Sequence, residues 1–197
     1  MKSHCISMPG KRNQAGFLMI EVLITIVILA LGLLGLAGLQ AKIQTSETES
    51  FQRTQALLLL QDMVNRISAN RLNAASYVTS STCPLGTNSD ACLGTPIPAS
   101  CSGLAGAALD QCEWDHALKG AGEKAAGSGA SIGAMVGARG CVELVAGSSP
   151  PLYRVSVAWQ GMSQLKVPSL ACGQNSYGGE SYRRVIAGTV PVANLSN

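Results

Sequence analysis

The 197 residues suffice for one small folded domain together with a membrane segment. Aromatic residues make up only 4% of the chain while the hydrophobic share is 47%, so the apolar content is mainly aliphatic. Three of the 14 basic residues, Lys2, Lys11 and Arg12, precede Gly16, where no acidic residue occurs, so 11 basic and 11 acidic residues follow it. This distribution argues against a basic nucleic-acid surface and indicates a membrane-topology signal.

The first predicted element is a helix that opens with an apolar run from Phe17 to Leu39. Only Glu21 and Thr25 are clearly polar among these 23 residues, and about 20 apolar residues suffice to cross a bilayer as a helix. Because the basic residues precede the run and Lys42 alone closely follows it, the positive-inside rule places the N-terminus in the cytoplasm and everything after Leu39 outside. The run is longer than the apolar core of a secretory signal, although cleavage as such a signal, or retention as a plain single-span anchor, stays open.

Glu21 distinguishes this run from a plain anchor. A carboxylate inside a membrane helix costs about 2.5–3.5 kcal/mol on insertion scales, so it predicts a function and a partner unless it lies near the hydrated interface. The segment from Lys11 to Leu23 resembles the prepilin signature of type IV pilins, in which a basic leader ends in Gly and is followed by Phe and, four places on, by Glu. The resemblance implies cleavage between Gly16 and Phe17 and N-methylation of Phe17 by the prepilin peptidase. The new amine would lie one turn from Glu21, and their opposite charges would offset part of the cost of burying either group.

Further segments resemble the PilV group of minor pilins, the type IV pilus modification proteins. These are Ile28 to Gln40, Gln55 to Leu57, Asp62 to Arg71, Tyr153 to Trp159 and Tyr182 to Val185. One departure from major pilins is Gly38, which stands where many of them carry a helix-kinking proline. The resemblance implies an α+β, pilin-like fold in which a long N-terminal helix, membrane-spanning in its first half, packs on a small antiparallel sheet.

Five segments are expected along the chain. They are a cleaved leader over 1–16, a transmembrane and polymerisation helix over 17–39, an amphipathic continuation of the helix over 40–75, a Gly/Ala/Ser-rich variable region over 76–140, and antiparallel strands over 141–197.

The helical pattern after Leu39 is predicted to continue to about Ala74, since no Pro or Gly interrupts it. Its predicted buried stripe consists of Leu57, Leu60, Val64, Ile67 and Arg71, flanked by Leu59 and Met63, while Gln61, Asp62, Asn65 and Arg66 face away. Such a stripe predicts that the helix docks on the sheet.

The variable region shows little apolar periodicity and holds Cys83, Cys92, Cys101 and Cys112. Cross-links would supply order that packing alone cannot, so these four cysteines are predicted to pair among themselves. A short helix is expected from Asp110 to Leu118 with Trp114 as a core anchor. Residues 120–140 are expected to form a loop.

Three strands are predicted at the end of the chain: Cys141 to Ala146, Tyr153 to Gln160 and Tyr182 to Val190. Pro150-Pro151 would form the turn between the first two. A bridge between Cys141 and Cys172 is predicted to close this region. Six of the seven cysteines follow the apolar run, which is typical of a segment exported to an oxidising compartment, whereas Cys5 lies in the leader.

No enzymatic or metal site is predicted. The sequence carries no readable nucleophile with its base, no P-loop and no CxxC pair. His116, the one histidine after the leader, is predicted to be a surface or loop residue with no metal-ligating neighbour at helical spacing. We therefore expect no catalysis, cofactor, metal or nucleic-acid partner.

The resemblance implies a minor pilin that is incorporated in or primes the pilus fibre or tip complex and supports pilus assembly, adhesion and twitching motility. Its implied partners are other minor and major pilins, prepilin peptidase, the inner-membrane assembly platform and a tip adhesin. It would reside in the inner membrane as a single-pass protein with a periplasmic head, and then in the fibre at the cell surface. A minor pseudopilin of a type II secretion system is the alternative, and an anchored adhesin that does not polymerise is a third.

Overall fold

The computed structural model describes residues 18–86, 97–121 and 135–193. The chain divides into two compact units, Met1–Gln44 and Thr45–Asn197. The described elements, in chain order, are helix α1 (Met19–Ala69), a 3₁₀ helix (Arg71–Tyr77), helix α2 (Gly106–Leu118), strands β1 (Arg139–Val145) and β2 (Leu152–Gln160), a second 3₁₀ helix (Glu180–Tyr182) and strand β3 (Arg183–Pro191). The predicted α+β class is confirmed.

Helix α1 packs on the sheet through a narrow stripe of its second half. The buried members of the stripe are Gln52, Ala56, Leu60, Met63 and Ile67. Their spacing of three or four residues keeps them on one face of a helix with 3.6 residues per turn. Ala56 and Met63 are fully buried in one cluster with residues of the sheet, so the small Ala56 side chain lets the helix approach closely.

Two parts of the predicted stripe are wrong. Leu57 is half exposed, and Arg71 lies beyond the end of α1 on an exposed position. The prediction centred the stripe on the large aliphatic side chains. In the structure, the helix face that packs on the sheet is the neighbouring one, which carries Ala56. Helix α1 also ends at Ala69 and not near Ala74. Asn70 stops it because its side chain bonds locally, accepting from Asn73 Nδ2 at 2.8 Å and donating to the Tyr77 hydroxyl at 3.1 Å.

Helix α2 begins at Gly106, four residues before the predicted start. Trp114 is fully buried, as predicted, and its indole N–H donates to the Leu59 carbonyl of α1 at 2.9 Å. The close contact between α2 and the sheet depends on Gly140, since a Cβ built there would lie 2.3 Å from the Trp114 ring. The variable region is therefore partly ordered by packing and not by cross-links alone.

The sheet is antiparallel in the order β1-β2-β3, and the predicted hairpin joins β1 to β2. The inward side chains of β2 alternate as expected, with Tyr153, Val155, Val157 and Trp159 in the core beneath α1 and α2. The opposite face is also buried, which the alternation did not predict. Ser156 and Ala158 are inaccessible there because residues 161–182 fold over them.

Candidate functional site

The first unit presents a helix whose side chains are exposed throughout. Every described residue from 18 to 44 is exposed, and most of them are Leu, Ile, Val or Ala. Among the described residues, α1 is the one helix long and apolar enough to cross a membrane by length and composition, and none of the apolar window is buried. Exposed aliphatic surface of this extent requires lipid or another helix to cover it.

Glu21 lies in the first turn of this helix and is the one ionisable side chain between residues 18 and 41. Thr25, the other polar residue of the run, satisfies its hydroxyl by donating to the Val22 carbonyl at 2.8 Å. The Glu21 carboxylate is therefore the one charge in an apolar surface, at the helix end whose partial positive charge favours an anion. Gly16 and Phe17, the predicted processing residues, lie outside the described residues.

Arg66 of α1 pairs with three carboxylates, two of which belong to α2. Its guanidinium donates to Asp62 at 3.0 Å, to Asp110 at 2.9 Å and to Glu113 at 2.6 Å. Partial burial opposes the charge, but the hydrogen bonds that Arg66 donates to Glu113 and Asp110 outweigh this effect and raise the Arg66 pKa above its ordinary value. Asp62 and Arg66, which were predicted to face away from the buried stripe, lie on the side of α1 where α2 packs.

The 3₁₀ helix after α1 is fastened to α2 as well. The buried Tyr77 hydroxyl donates to Asp110, and Gln111 Nε2 donates to the Ser76 carbonyl at 3.1 Å. Burial, followed by the hydrogen bond to Asp110, raises the pKa of Tyr77. These contacts hold the start of the variable region against the helices.

Two disulfide bonds among the described residues fall at predicted cysteines. Cys141 and Cys172 are joined with a Cα–Cα distance of 5.9 Å, and both are fully buried. Cys101 and Cys112 are joined with a Cα–Cα distance of 5.8 Å. Cys83 also forms a disulfide, and Cys92 lies outside the described residues. The first bond ties β1 to the segment over the outer sheet face, and the second ties residues 97–105 to α2.

His116 is not the isolated loop histidine that the sequence predicted. It lies on α2 one turn after Cys112, with its Nδ1 atom 3.6 Å from Cys101 Sγ and its Nε2 atom 3.0 Å from the Pro98 carbonyl. The sequence analysis overlooked the Cys112/His116 spacing of four residues, which places both side chains on one helix face. The histidine therefore does have sulfur neighbours, one of them at helical spacing.

A second polar cluster, which the sequence did not predict, holds residues 161–182 on the sheet. Arg183 is almost fully buried and donates to Glu180 and to the carbonyls of Pro168, Leu170 and Cys172. At the other end of the segment, Glu49 of α1 accepts hydrogen bonds from the Met162 and Ser163 amides and from Arg184. Burial opposes ionisation of Glu49, but these hydrogen bonds outweigh it and lower its pKa.

Two family models match the chain. The model described as "Prokaryotic N-terminal methylation motif" matches residues 11–37, and the model described as "Type IV pilin Tt1218" matches residues 38–112. The matches meet within α1, so they cover the predicted processing segment, the exposed half of α1, and the head, which is the unit from Thr45 onward, as far as Cys112 in α2. Searches of curated proteins and of solved structures give no match.

Proposed function

We propose that this chain, which is a type IV pilin-like protein, is a minor type IV pilin that is incorporated in or primes the pilus fibre or its tip complex. Type IV pilins are structural proteins, so the function is assembly and not catalysis. The observation that carries the proposal is helix α1, in which an exposed aliphatic half with one acid continues into a half that docks on a small sheet.

The minor role is supported by the segments that resemble the PilV group. Residues 55–57 and most of 62–71 belong to the half of α1 that packs on the sheet, and Arg66 among them pairs with Asp110 and Glu113 of α2. The region after residue 76 would give the subunit its specificity toward a partner. Support of pilus assembly, adhesion and twitching motility follows from a place in the fibre or at its tip.

In this proposal residues 1–16 are the leader, 17–39 the membrane and polymerisation segment, 40–75 its continuation, 76–140 the variable region and 141–197 the strand region. The three basic residues of the leader orient the N-terminus to the cytoplasm and the head to the periplasm. The pilin family implies contact with other pilins and with prepilin peptidase; the assembly platform and a tip adhesin are the further partners we propose.

The first test is the N-terminal sequence and mass of the protein recovered from membranes of cells with and without prepilin peptidase. We expect a chain that begins at methylated Phe17 only when the peptidase is present. An intact Met1, or a start near Ala41, in peptidase-containing cells would overturn the proposed processing and leave an ordinary anchored or exported protein.

The second test asks whether Glu21 acts in assembly. Glu21→Gln removes the charge at nearly constant size, so it should ease membrane insertion yet reduce recovery of the subunit in sheared pili by about tenfold or more, because the amine of Phe17 loses its partner. Glu47→Gln is the matched control, since Glu47 is an exposed acid on the same helix beyond the apolar run. An anchored adhesin that does not polymerise predicts equal behaviour of both variants.

Deletion of the gene separates the two filament systems. Loss of surface pili with normal exoprotein release supports the pilus. The reverse pattern would identify a pseudopilin of a type II secretion system and overturn the proposed minor-pilin role.

A further inference from the structure

Three potential metal ligands converge between α2 and the segment that precedes it. The Sγ atoms of Cys101 and Cys112 and a ring nitrogen of His116 lie within 4.8 Å of one another. Cys112 and His116 project from successive turns of α2, and Cys101 approaches from residues 97–105. The proposed pilin function does not use this cluster.

We propose that the cluster is a two-state site: a disulfide when it is oxidised, and a zinc site formed by Cys101, Cys112 and His116 when it is reduced. Two thiolates and one imidazole are the ligand types that zinc prefers, with water available to complete a tetrahedron. The proposal is independent of the assembly role, since it concerns only side chains of the head.

The distance between His116 and Cys101 is compatible with two ligands of one zinc ion. Zinc bonds of about 2.3 Å to sulfur and about 2.0–2.1 Å to nitrogen place neighbouring S and N ligands of a tetrahedron roughly 3.6 Å apart. The His116 Nδ1 atom already lies 3.6 Å from Cys101 Sγ. Reduction must let the two sulfurs separate to roughly 3.8 Å, the value for two thiolates on one zinc. Cys101 lies outside any helix or strand, so its segment can supply this movement while α2 stays in place.

The histidine is also oriented for ligation. Its Nε2 atom lies 3.0 Å from the Pro98 carbonyl. A carbonyl can only accept, so Nε2 carries the hydrogen and the lone pair of the neutral ring is on Nδ1, the atom that faces the sulfur. A hydrogen bond from the second ring nitrogen to a carbonyl is the arrangement that orients histidine ligands in metal sites.

The conversion requires a dithiol reductant, such as the CxxC pair of a thiol–disulfide oxidoreductase. One thiolate of the dithiol attacks Cys101 Sγ, the less buried of the two sulfurs, and Cys112 leaves as a thiolate. The second thiol of the dithiol then displaces Cys101, so two electrons pass to the chain and the dithiol becomes a disulfide. Zinc binds both thiolates in place of two protons, and residues 97–105 stay fastened to α2 in either state.

The test is a Co²⁺ titration of the full chain in detergent after reduction with a phosphine and removal of the reductant without oxygen. The reduced wild type should give thiolate-to-cobalt charge transfer and the visible bands of tetrahedral coordination, both abolished by one equivalent of Zn²⁺. The oxidised chain should give neither. His116→Gln keeps every thiol and should weaken Co²⁺ binding by about 100-fold or more, because even removing a ligand's hydrogen-bond partner costs about 10–100-fold. Cys83→Ser, which removes a thiol elsewhere, should leave the bands unchanged.

Equal Co²⁺ affinity in the wild type and His116→Gln, or bands that are lost in Cys83→Ser, would overturn the proposal. A measurement on the wild type alone covers the case in which His116→Gln does not fold. Zinc should slow alkylation of Cys101 in the reduced chain by about tenfold relative to Cys83, read by mass spectrometry, since a metal-bound thiolate is shielded. Equal slowing at both cysteines, or none at Cys101, would also exclude the site.

Discussion

At the residue scale, Gly140 should tolerate no larger side chain. A Cβ there would lie 2.3 Å and 2.4 Å from two carbons of the Trp114 ring and 2.7 Å from Leu118. Trp114 is fully enclosed and cannot move aside. We expect Gly140→Ala to lower the free energy of unfolding by about 1–3 kcal/mol, the usual cost of overpacking a core.

The measurement is urea unfolding of the detergent-solubilised chain, followed by fluorescence of Trp114 and Trp159, which are both buried. Gly179→Ala is the matched control, because its Cβ would meet its nearest neighbour at 3.5 Å and its backbone is extended. The control should stay within about 0.5 kcal/mol of the wild type. Equal midpoints for the two variants would mean that α2 is not packed against β1 as described.

The residues that sequence analysis misjudged are those whose partners lie far along the chain. Arg66 was predicted only to face away from the buried stripe, because Asp110 and Glu113 are 44 and 47 residues away and reach it only when α2 docks. Glu49 likewise meets Met162 and Arg184 only in the folded head. One sulfur neighbour of His116 could have been predicted, since Cys112 is four residues away on the same helix. The other, Cys101, could not, because no periodic pattern shows that its segment folds back on α2.

At the element scale, the Cys141–Cys172 bond should contribute more stability than Cys101–Cys112. It closes a longer stretch, with a sequence separation of 31 against 11, and its loop covers the outer face of β2. In the chain-entropy account, a disulfide that closes a longer loop contributes more stability, from about 3 kcal/mol for a loop of 15 residues to about 4.7 kcal/mol for one of 100. We expect the Cys141→Ala/Cys172→Ala variant to lose about 3–4 kcal/mol of unfolding free energy.

The Cys101→Ala/Cys112→Ala variant provides the comparison and should lose about 2–3 kcal/mol by the same account. Limited proteolysis gives a second readout, since only loss of the Cys141–Cys172 bond should expose residues 161–182 to cleavage. Equal proteolysis of both variants would indicate that Arg183 and its carbonyl partners, and not the disulfide, hold this segment.

Elements with strong local patterns could be predicted from the sequence. The apolar run, the alternation in β2 and the Pro150-Pro151 turn gave helix, strand and hairpin with boundaries within a few residues of those in the structure. The end of α1 could not be predicted in this way. Asn70 ends the helix through side-chain hydrogen bonds with Asn73 and Tyr77, and helix propensities do not take such bonds into account. The burial of both sheet faces was also missed, since residues 161–182 carry no periodic pattern to show that they cover one.

At the scale of the whole molecule, acidic pH should destabilise the folded head. Glu49 joins residues 162–163 to α1, and Glu180 pairs with the buried Arg183 in the same segment. Burial opposes ionisation of both carboxyl groups, yet their hydrogen bonds and neighbouring arginines lower each pKa below the ordinary 4.5. The folded head therefore binds fewer protons than the unfolded chain at mildly acidic pH. The stability from these carboxylates is complete above about pH 4.5 and falls as the pH drops through the lowered pKa values.

We therefore expect the unfolding free energy of the wild type to decrease between pH 5 and pH 3, measured by urea unfolding in steps of half a pH unit. The Glu49→Gln/Glu180→Gln variant should be less stable at pH 7, because Arg183 and Arg184 lose charged partners, and its stability should change less with pH. Glu47→Gln removes one exposed acid from α1 and should follow the wild-type profile. A double variant whose acid dependence matches that of the wild type would contradict the role of Glu49 and Glu180. Glu49 and Glu180 hold residues 161–182, which also carry Cys172 of the disulfide bond. Limited proteolysis at the same series of pH values should therefore show more cleavage of residues 161–182 as the pH falls.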